Sequence, residues 1–138
     1  MLFDEMQEIV DLNIINDSND SNLFIKRDGF IRGNMFKNEY IPYKNYKEEY
    51  LKPMSDREKL LLEIMENTFA IIDLNLYLDL HPNNKEMLEL FRDYIAKSVD
   101  KEMEYVKKYG PIELIDSDST DTFKWINDPW PWQREGNI

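Results

Sequence analysis

The chain has 138 residues, with 17 Lys and Arg against 28 Asp and Glu, a net charge of -11 and no cysteine. That is the size of one domain with appendages, and 42% hydrophobic residues suit a folded soluble chain better than a disordered one. The acidic balance disfavours nucleic acid and anionic membranes, which call for a basic face, and the lack of Cys excludes disulfides, thiolate metal sites, iron–sulfur clusters and Cys nucleophiles. Charge divides the sequence into four parts of -6, +3, -4 and -4, at residues 1–22, 23–53, 54–110 and 111–138.

Residues 1–22 open with Met1-Leu2-Phe3-Asp4-Glu5 and carry no Lys or Arg before Lys26. They lack the basic and apolar regions of a secretory signal, so intracellular synthesis and retention are expected. Leu2, Met6, Ile9 and Val10 make one apolar stripe on a short helix, and the polar run from Asn16 to Asn22 reads as a flexible linker. Residues 23–53 are mildly basic and aromatic. Gly29, Gly33, Pro42 and Pro53 among Phe30, Phe36, Tyr40, Tyr43 and Tyr46 predict extended, non-regular structure.

From residue 54 the signals become helical. Ser55-Asp56-Arg57-Glu58 has the spacing of a capping box and precedes an apolar run. A helix is therefore predicted from Asp56 to about Leu80, where His81-Pro82-Asn83-Asn84 supplies a turn and Pro82 pushes His81 out of helical geometry. Asn83 with Glu86 offers a second cap. The next helix is predicted to run to Tyr109, with Gly110 in a left-handed cap and Pro111 forbidding continuation. Two long helices with a short connection make an antiparallel hairpin.

On the first helix, Leu62, Met65, Phe69, Ile72 and Leu76 repeat at three- and four-residue steps, and Leu61, Ile64, Ile71, Leu74 and Leu78 widen the apolar surface beyond one seam. On the second, Leu88, Phe91, Ile95, Val99, Met103 and Val106 make one apolar side. Leaving five Leu-sized side chains exposed on the back of the first helix would forfeit roughly 10 kcal/mol. The expected cover is the aromatic segment 23–53, the aromatic tail, or another chain.

The tail reads Phe123-Lys124-Trp125-Ile126-Asn127-Asp128-Pro129-Trp130-Pro131-Trp132 and holds all three tryptophans of the protein. Alternating Pro and Trp excludes a helix and predicts an extended aromatic strip, either folded back on the hairpin or presented to a partner. Tyr40, Tyr43, Tyr46, Trp125, Trp130 and Trp132 are the candidate anchors. The two readings of the strip are compatible.

The segment Leu76-Tyr77-Leu78-Asp79-Leu80-His81-Pro82, then Lys108-Tyr109-Gly110-Pro111, then Trp125 to Trp132, resembles in order and spacing the CotJB family of bacterial spore-coat proteins. The resemblance covers about residues 60–132. The preceding extension, with Gly33-Asn34-Met35-Phe36 and Tyr40-Ile41-Pro42-Tyr43, is similar to the Pro/Tyr-rich small coat proteins encoded beside that family. The resemblance implies a structural or scaffolding protein of the inner spore coat, made in the mother-cell cytoplasm and working through protein–protein contacts. It implies other coat proteins as partners, including the small CotJA-type protein and the manganese-catalase-like CotJC-type protein. The alternative it raises is an adaptor that recruits or regulates that catalase-like enzyme. Self-association is a further expectation.

The residues themselves argue against catalysis and against a cofactor. His81 is the only histidine. Its place before Pro82 at a helix end suits capping or a hydrogen bond to Asp79 better than ligation, and no Glu-x-x-His of a dimetal bundle occurs. Glu66 and Asp73 lie two turns apart, roughly 10 Å, too far to chelate one ion unaided. Asp73 is instead expected to make polar contacts with Tyr94, Lys or Asn side chains, or with buried indoles. Ser55, Phe69, Asp73, Tyr77, Asp79, His81, Pro82, Gly110 and Pro111 are thus structural positions. No nucleophile elbow, phosphate loop or dinucleotide fingerprint is present. Tyr40, Tyr43, Tyr46 and Tyr50 either serve oxidative cross-linking or pack on the back of the first helix with their hydroxyls in water, and Lys37, Lys44 and Lys47 are the corresponding candidates for amide cross-links.

The expected architecture is all-α, a helical hairpin wrapped by an extended aromatic N-terminal segment and a Pro/Trp-rich tail. Its divisions are an acidic flexible segment at 1–22, an aromatic basic segment at 23–53, and the hairpin with its tail at 54–138. No stretch is apolar over the roughly 20 residues that span a bilayer.

Overall fold

The structure, a computed structural model, describes residues 22–119 and 121–123. The chain divides into two compact units, Met1–Tyr50 and Leu51–Ile138. The first contains helix α1, Lys26–Arg32; the second contains α2, Asp56–Leu80, and α3, Lys85–Tyr109. Short 3-10 turns occupy Lys37–Glu39 and Leu114–Ser119. Among the described residues there is no strand, only an isolated antiparallel bridge between Leu23 and Phe36. None of these helices is long and apolar enough to cross a membrane.

In the second unit the hairpin forms at the predicted ends. Ser55 is the N-cap of α2: its hydroxyl accepts from the Glu58 N–H at 3.2 Å, satisfying a donor that the first turn leaves open. The Glu58 carboxylate reaches back to the N–H of Met54, one residue before the cap. The second cap is displaced by one residue from the expected position. Asn84, not Asn83, accepts from the Met87 N–H at 3.1 Å, because Asn83 is used in the turn that carries the chain round from His81. Contacts between the helices climb one as they descend the other: Arg57 with Tyr105, Glu63 with Lys101, Tyr77 with Asn84. That order establishes the antiparallel register.

The seam of the hairpin differs from the expected one. On α2 the buried residues are Leu60, Ile64, Glu66, Asn67, Ala70 and Leu74, while Met65, Ile72 and Leu76 of the anticipated stripe are exposed. On α3 the buried residues are Met87, Tyr94, Ser98 and Tyr105, while Ile95, Val99 and Met103 are exposed. Both seams keep the three- and four-residue steps of helix packing but pass through polar residues, Asn67 and Ser98. Counting apolar side chains therefore selects the wrong stripe on each helix. Leu60, Ile64 and Tyr105 form the core cluster at the open end, with Leu61 and Ile112 packed against it.

Gly110 ends α3 with φ 108° and ψ -179°, and its N–H donates to Val106 O at 3.1 Å. The positive φ was expected; the extended ψ was not, and that pair of angles is essentially reserved for glycine. A Cβ placed there meets nothing within 4 Å, so the cost of a side chain is backbone strain alone. Gly110→Ala is expected to lower stability by about 1–3 kcal/mol, read as a fall in thermal midpoint. An unchanged midpoint would mean that the chain leaves the helix equally well another way.

The first unit departs from the extended reading over Lys26–Arg32. Asp28 lies in its first turn and Arg32 in its last, the arrangement that the helix dipole favours, and Gly33 closes it in the left-handed region at φ 73° and ψ 23°. Gly29 had marked this stretch as broken. It sits inside the helix because Met35, fully buried, folds back against it. The returning chain is tied by Phe24 N–H to Met35 O and Lys37 N–H to Asn22 O, both at 2.8 Å. The Asn34 side chain accepts from the Phe36 N–H, and the Asn22 side chain from the Asn38 N–H.

Candidate functional site

The anticipated anchors fall into different environments. Tyr40 is half-buried, its ring edge-on to Phe24 at 5.8 Å. Burial, then the charge of Glu48 and the neighbouring Tyr46, push its phenol above the usual range. Tyr46 is 41% exposed but donates its hydroxyl to Ile31 O at 2.9 Å. Tyr43 is 86% exposed. Trp125, Trp130 and Trp132 lie outside the described residues.

Tyr50, which is not among the candidate anchors, organises the first unit together with Arg32. The Tyr50 hydroxyl donates to Asp28 at 2.7 Å, and the Arg27 guanidinium stacks over its ring at 4.8 Å. Arg32 pairs with Glu48 at 3.4 Å and with Asp28 at 3.7 Å, and lies 4.8 Å over Phe24. Hydrogen bonding to Tyr50, above all, raises the pKa of Arg32. The hydroxyls of Tyr46 and Tyr50 thus make hydrogen bonds that close the fold of their own unit. Sequence spacing carries no signal for contacts spanning 15 and 22 residues between side chains of different type.

At Lys44-Asn45 the chain turns, Asn45 taking a positive φ of 65° and Tyr46 N–H bonding to Tyr43 O, and no regular element follows before Met54. Ile41 and Tyr43 before the turn and Leu51 and Met54 after it are exposed, as are Leu114 and Ile115 beyond α3.

At the hairpin turn the His81 ring packs on Tyr77 at 4.3 Å, tilted by 31°, while its carbonyl accepts from the Asn84 N–H. The ring's neighbour is Tyr77 and not the anticipated Asp79, which is exposed. The Tyr77 hydroxyl accepts from the Asn84 side chain at 3.1 Å, so Tyr77, His81 and Asn84 form one packed corner. Pro82 sits exposed in the turn, and Phe69, Asp73 and Pro111 are half-buried. Of the carboxylates on α2, Glu66 is buried, Asp73 half-buried and Asp79 exposed. Among the described residues no group of three or more His, Asp and Glu is placed to hold a metal ion.

At the open end, Arg57 donates to the Tyr105 hydroxyl at 3.0 Å and stacks near the rings of Tyr105 and Tyr109, and Lys101 pairs with Glu63 at 2.8 Å. Ser98 satisfies its buried hydroxyl by donating to Glu102 at 2.8 Å. These polar ties hold the helix register.

The model of one family, described as CotJB protein, matches residues 58–133, a range that starts in the first turn of α2 and runs through α3 into the tail. No curated protein and no solved structure matches the chain. The aromatic unit before Tyr50 lies outside the matched range, so what relates this chain to others is the hairpin with its tail. Since that match takes in both long helices and more than half of the 138 residues, the chain belongs to the CotJB family of spore-coat proteins.

Proposed function

We propose that the protein is a structural, scaffolding component of the inner spore coat, made in the mother cell and assembled through protein–protein contacts. The family match over residues 58–133 carries this reading. The exposed apolar side chains Ile41, Tyr43, Leu51 and Met54 support it, because a chain that leaves such groups in water gains by insertion into a dense protein layer. Tyr43 and the three tryptophans of the tail are the partner-binding residues in this reading. Tyr40, Tyr46 and Tyr50 keep the first unit in shape. The partners are other coat proteins, the CotJA-type and CotJC-type proteins among them.

Quantitative mass spectrometry of coat extracts from purified spores, with vegetative cells as control, tests the proposal. The expected result is strong enrichment in the coat fraction that survives washing. Equal abundance in vegetative cytoplasm would overturn it. A stable stoichiometric complex with the manganese-catalase-like protein, lost when that protein is absent, would make the chain an adaptor rather than a scaffold.

A further inference from the structure

One flank of α2 is shielded although α3 does not lie on it. The seam with α3 runs through Leu60, Ile64, Asn67, Ala70 and Leu74. At about 100° per residue, Glu66, Asp73 and Tyr77 stand roughly 80–120° to one side of that seam, and Asn75, Thr68 and Asp79 stand at the matching angles on the other side. Two helices side by side are symmetric about the plane of their axes, so matched positions should be equally wet. They are not: Asn75, Thr68 and Asp79 are all exposed, whereas Asp73 and Tyr77 are half-buried and Glu66 is only 7% exposed. Further round, Phe69 is half-buried where its counterpart Met65 is 47% exposed. Among the described elements α3 is the one that packs broadly on α2. Glu66, Phe69, Asp73 and Tyr77 are nonetheless all engaged in hydrogen-bonding, electrostatic or ring interactions. A further layer therefore covers the strip that these four residues form.

The strip calls for a particular cover. Glu66 and Asp73 present carboxylates that burial penalises unless donors reach them, and Phe69 and Tyr77 present rings. An indole meets both needs, with one N–H and a flat apolar face. The three tryptophans stand at 125, 130 and 132, in a stretch 124–138 whose two basic and two acidic residues cancel. Residues 1–22, with a charge of -6, would instead bring carboxylates onto carboxylates. The reach also fits. Beyond α3 the chain returns to the open end of the hairpin, where Ile112 packs on Leu60, Ile64 and Tyr105 and Ser117 is buried. From Leu60, Glu66 is about 9 Å and Tyr77 about 26 Å along α2, and the nine residues 124–132 span up to about 30 Å when extended, as Pro129 and Pro131 favour. The compact unit that holds the hairpin runs on to Ile138, and the family match takes in hairpin and tryptophans together.

We infer that the chain's own residues 124–132 lie along this flank of α2, with their indoles against Phe69 and Tyr77 and their N–H groups toward Glu66 and Asp73. The tail is then a third layer of the hairpin unit, and a partner that takes the tryptophans must lift them from it. The docking rests on burial and chemistry at α2 and is independent of the coat reading.

The test is tryptophan emission, which reports on the tail alone because every tryptophan of the chain lies within 125–132. In the full chain the emission is expected to be blue-shifted from that of the urea-unfolded chain and shielded from acrylamide, and to stay so from about 1 to 100 µM protein, the range that brackets ordinary specific association. The double variant Phe69→Ala, Asp73→Ala is expected to shift the emission to the red and open it to the quencher while the helical circular-dichroism signal stays. Should that variant unfold, Phe69→Ala alone, far from the seam with α3, takes its place. Ile72→Ala, on the opposite flank, is expected to leave the spectrum unchanged. Tryptophans as red and as readily quenched in the full chain as in urea would overturn the inference. So would a blue shift that appears only at high concentration, which would give the strip to the tail of a second copy. A spectrum untouched by the strip variants, or moved by Ile72→Ala instead, would overturn it equally.

Discussion

Leu74→Ala is expected to destabilise the hairpin by about 2–5 kcal/mol, the range for emptying a fully buried Leu site, whereas Ile72→Ala, two residues away, should cost under about 1 kcal/mol in dilute monomer. Leu74 is completely buried between the helices and Ile72 is 56% exposed. Both sit in the same apolar run and have nearly the same hydrophobicity, so only the rotation of α2 about its axis separates them. Urea midpoints of the two variants at low micromolar concentration would measure the difference directly. The reverse order would turn α2 by half a revolution and place the anticipated stripe, Met65 with Ile72, in the seam.

Met35→Ala should unfold or loosen the whole first unit. Met35 has no exposed surface, and it lies under a unit too small to absorb the loss, about 2–5 kcal/mol for a buried Met. The companion change Gly29→Ala attacks the same contact from the other side. An added Cβ would stand 2.4 Å from the Met35 sulfur, 3.2 Å from Asn34 O and 3.4 Å from the Met35 Cα. Better helix propensity returns about 0.5–1 kcal/mol, against roughly 1–3 for overpacking, so the net sign is destabilising. In the double variant the new methyl enters the space that Met35 vacates, and the combined loss should be smaller than the two single losses together. Amide exchange at Phe24, Gly33 and Lys37, whose N–H groups bond within this unit, reads all three variants. Strict additivity would show that Gly29 and Met35 do not share one site.

These expectations separate what is written locally from what is not. The ends of α2 and α3 were legible to within a residue. Ser55 and Glu58, the His81-Pro82 turn and Gly110-Pro111 act through the backbone of their immediate neighbours, so a short window contains all the physics. The CotJB motif was legible for a similar reason, being a linear series of residues at fixed spacing. The antiparallel hairpin followed from two long helices and a connection too short for any other direction.

Side-chain environment was less accessible. Tyr40, Tyr43, Tyr46 and Tyr50 look alike in sequence, yet one packs on Phe24, one stands in water and two close their unit through hydroxyl bonds to Ile31 and Asp28. Their partners lie up to 22 residues away, and no local period announces such pairs. The same holds for α1. Its Asp28 and Gly33 are ordinary end signals, but Gly29 in the middle makes sense only once Met35 is seen folded against it.

Helix ends, the direction of the hairpin and the family are all written in short stretches of chain, because caps, breakers and motif spacing join near neighbours. Which side of each helix lies inside is fixed by packing between the helices. Both α2 and α3 carry more than one apolar stripe, each satisfying the same helical period. The choice between stripes rests on shape and polar satisfaction across the interface: Arg57 reaching Tyr105, Lys101 reaching Glu63, and small or amide side chains at Ser98 and Asn67 where the seams run. Burial rewards the stripe that packs and pairs together, and that property belongs to two helices at once.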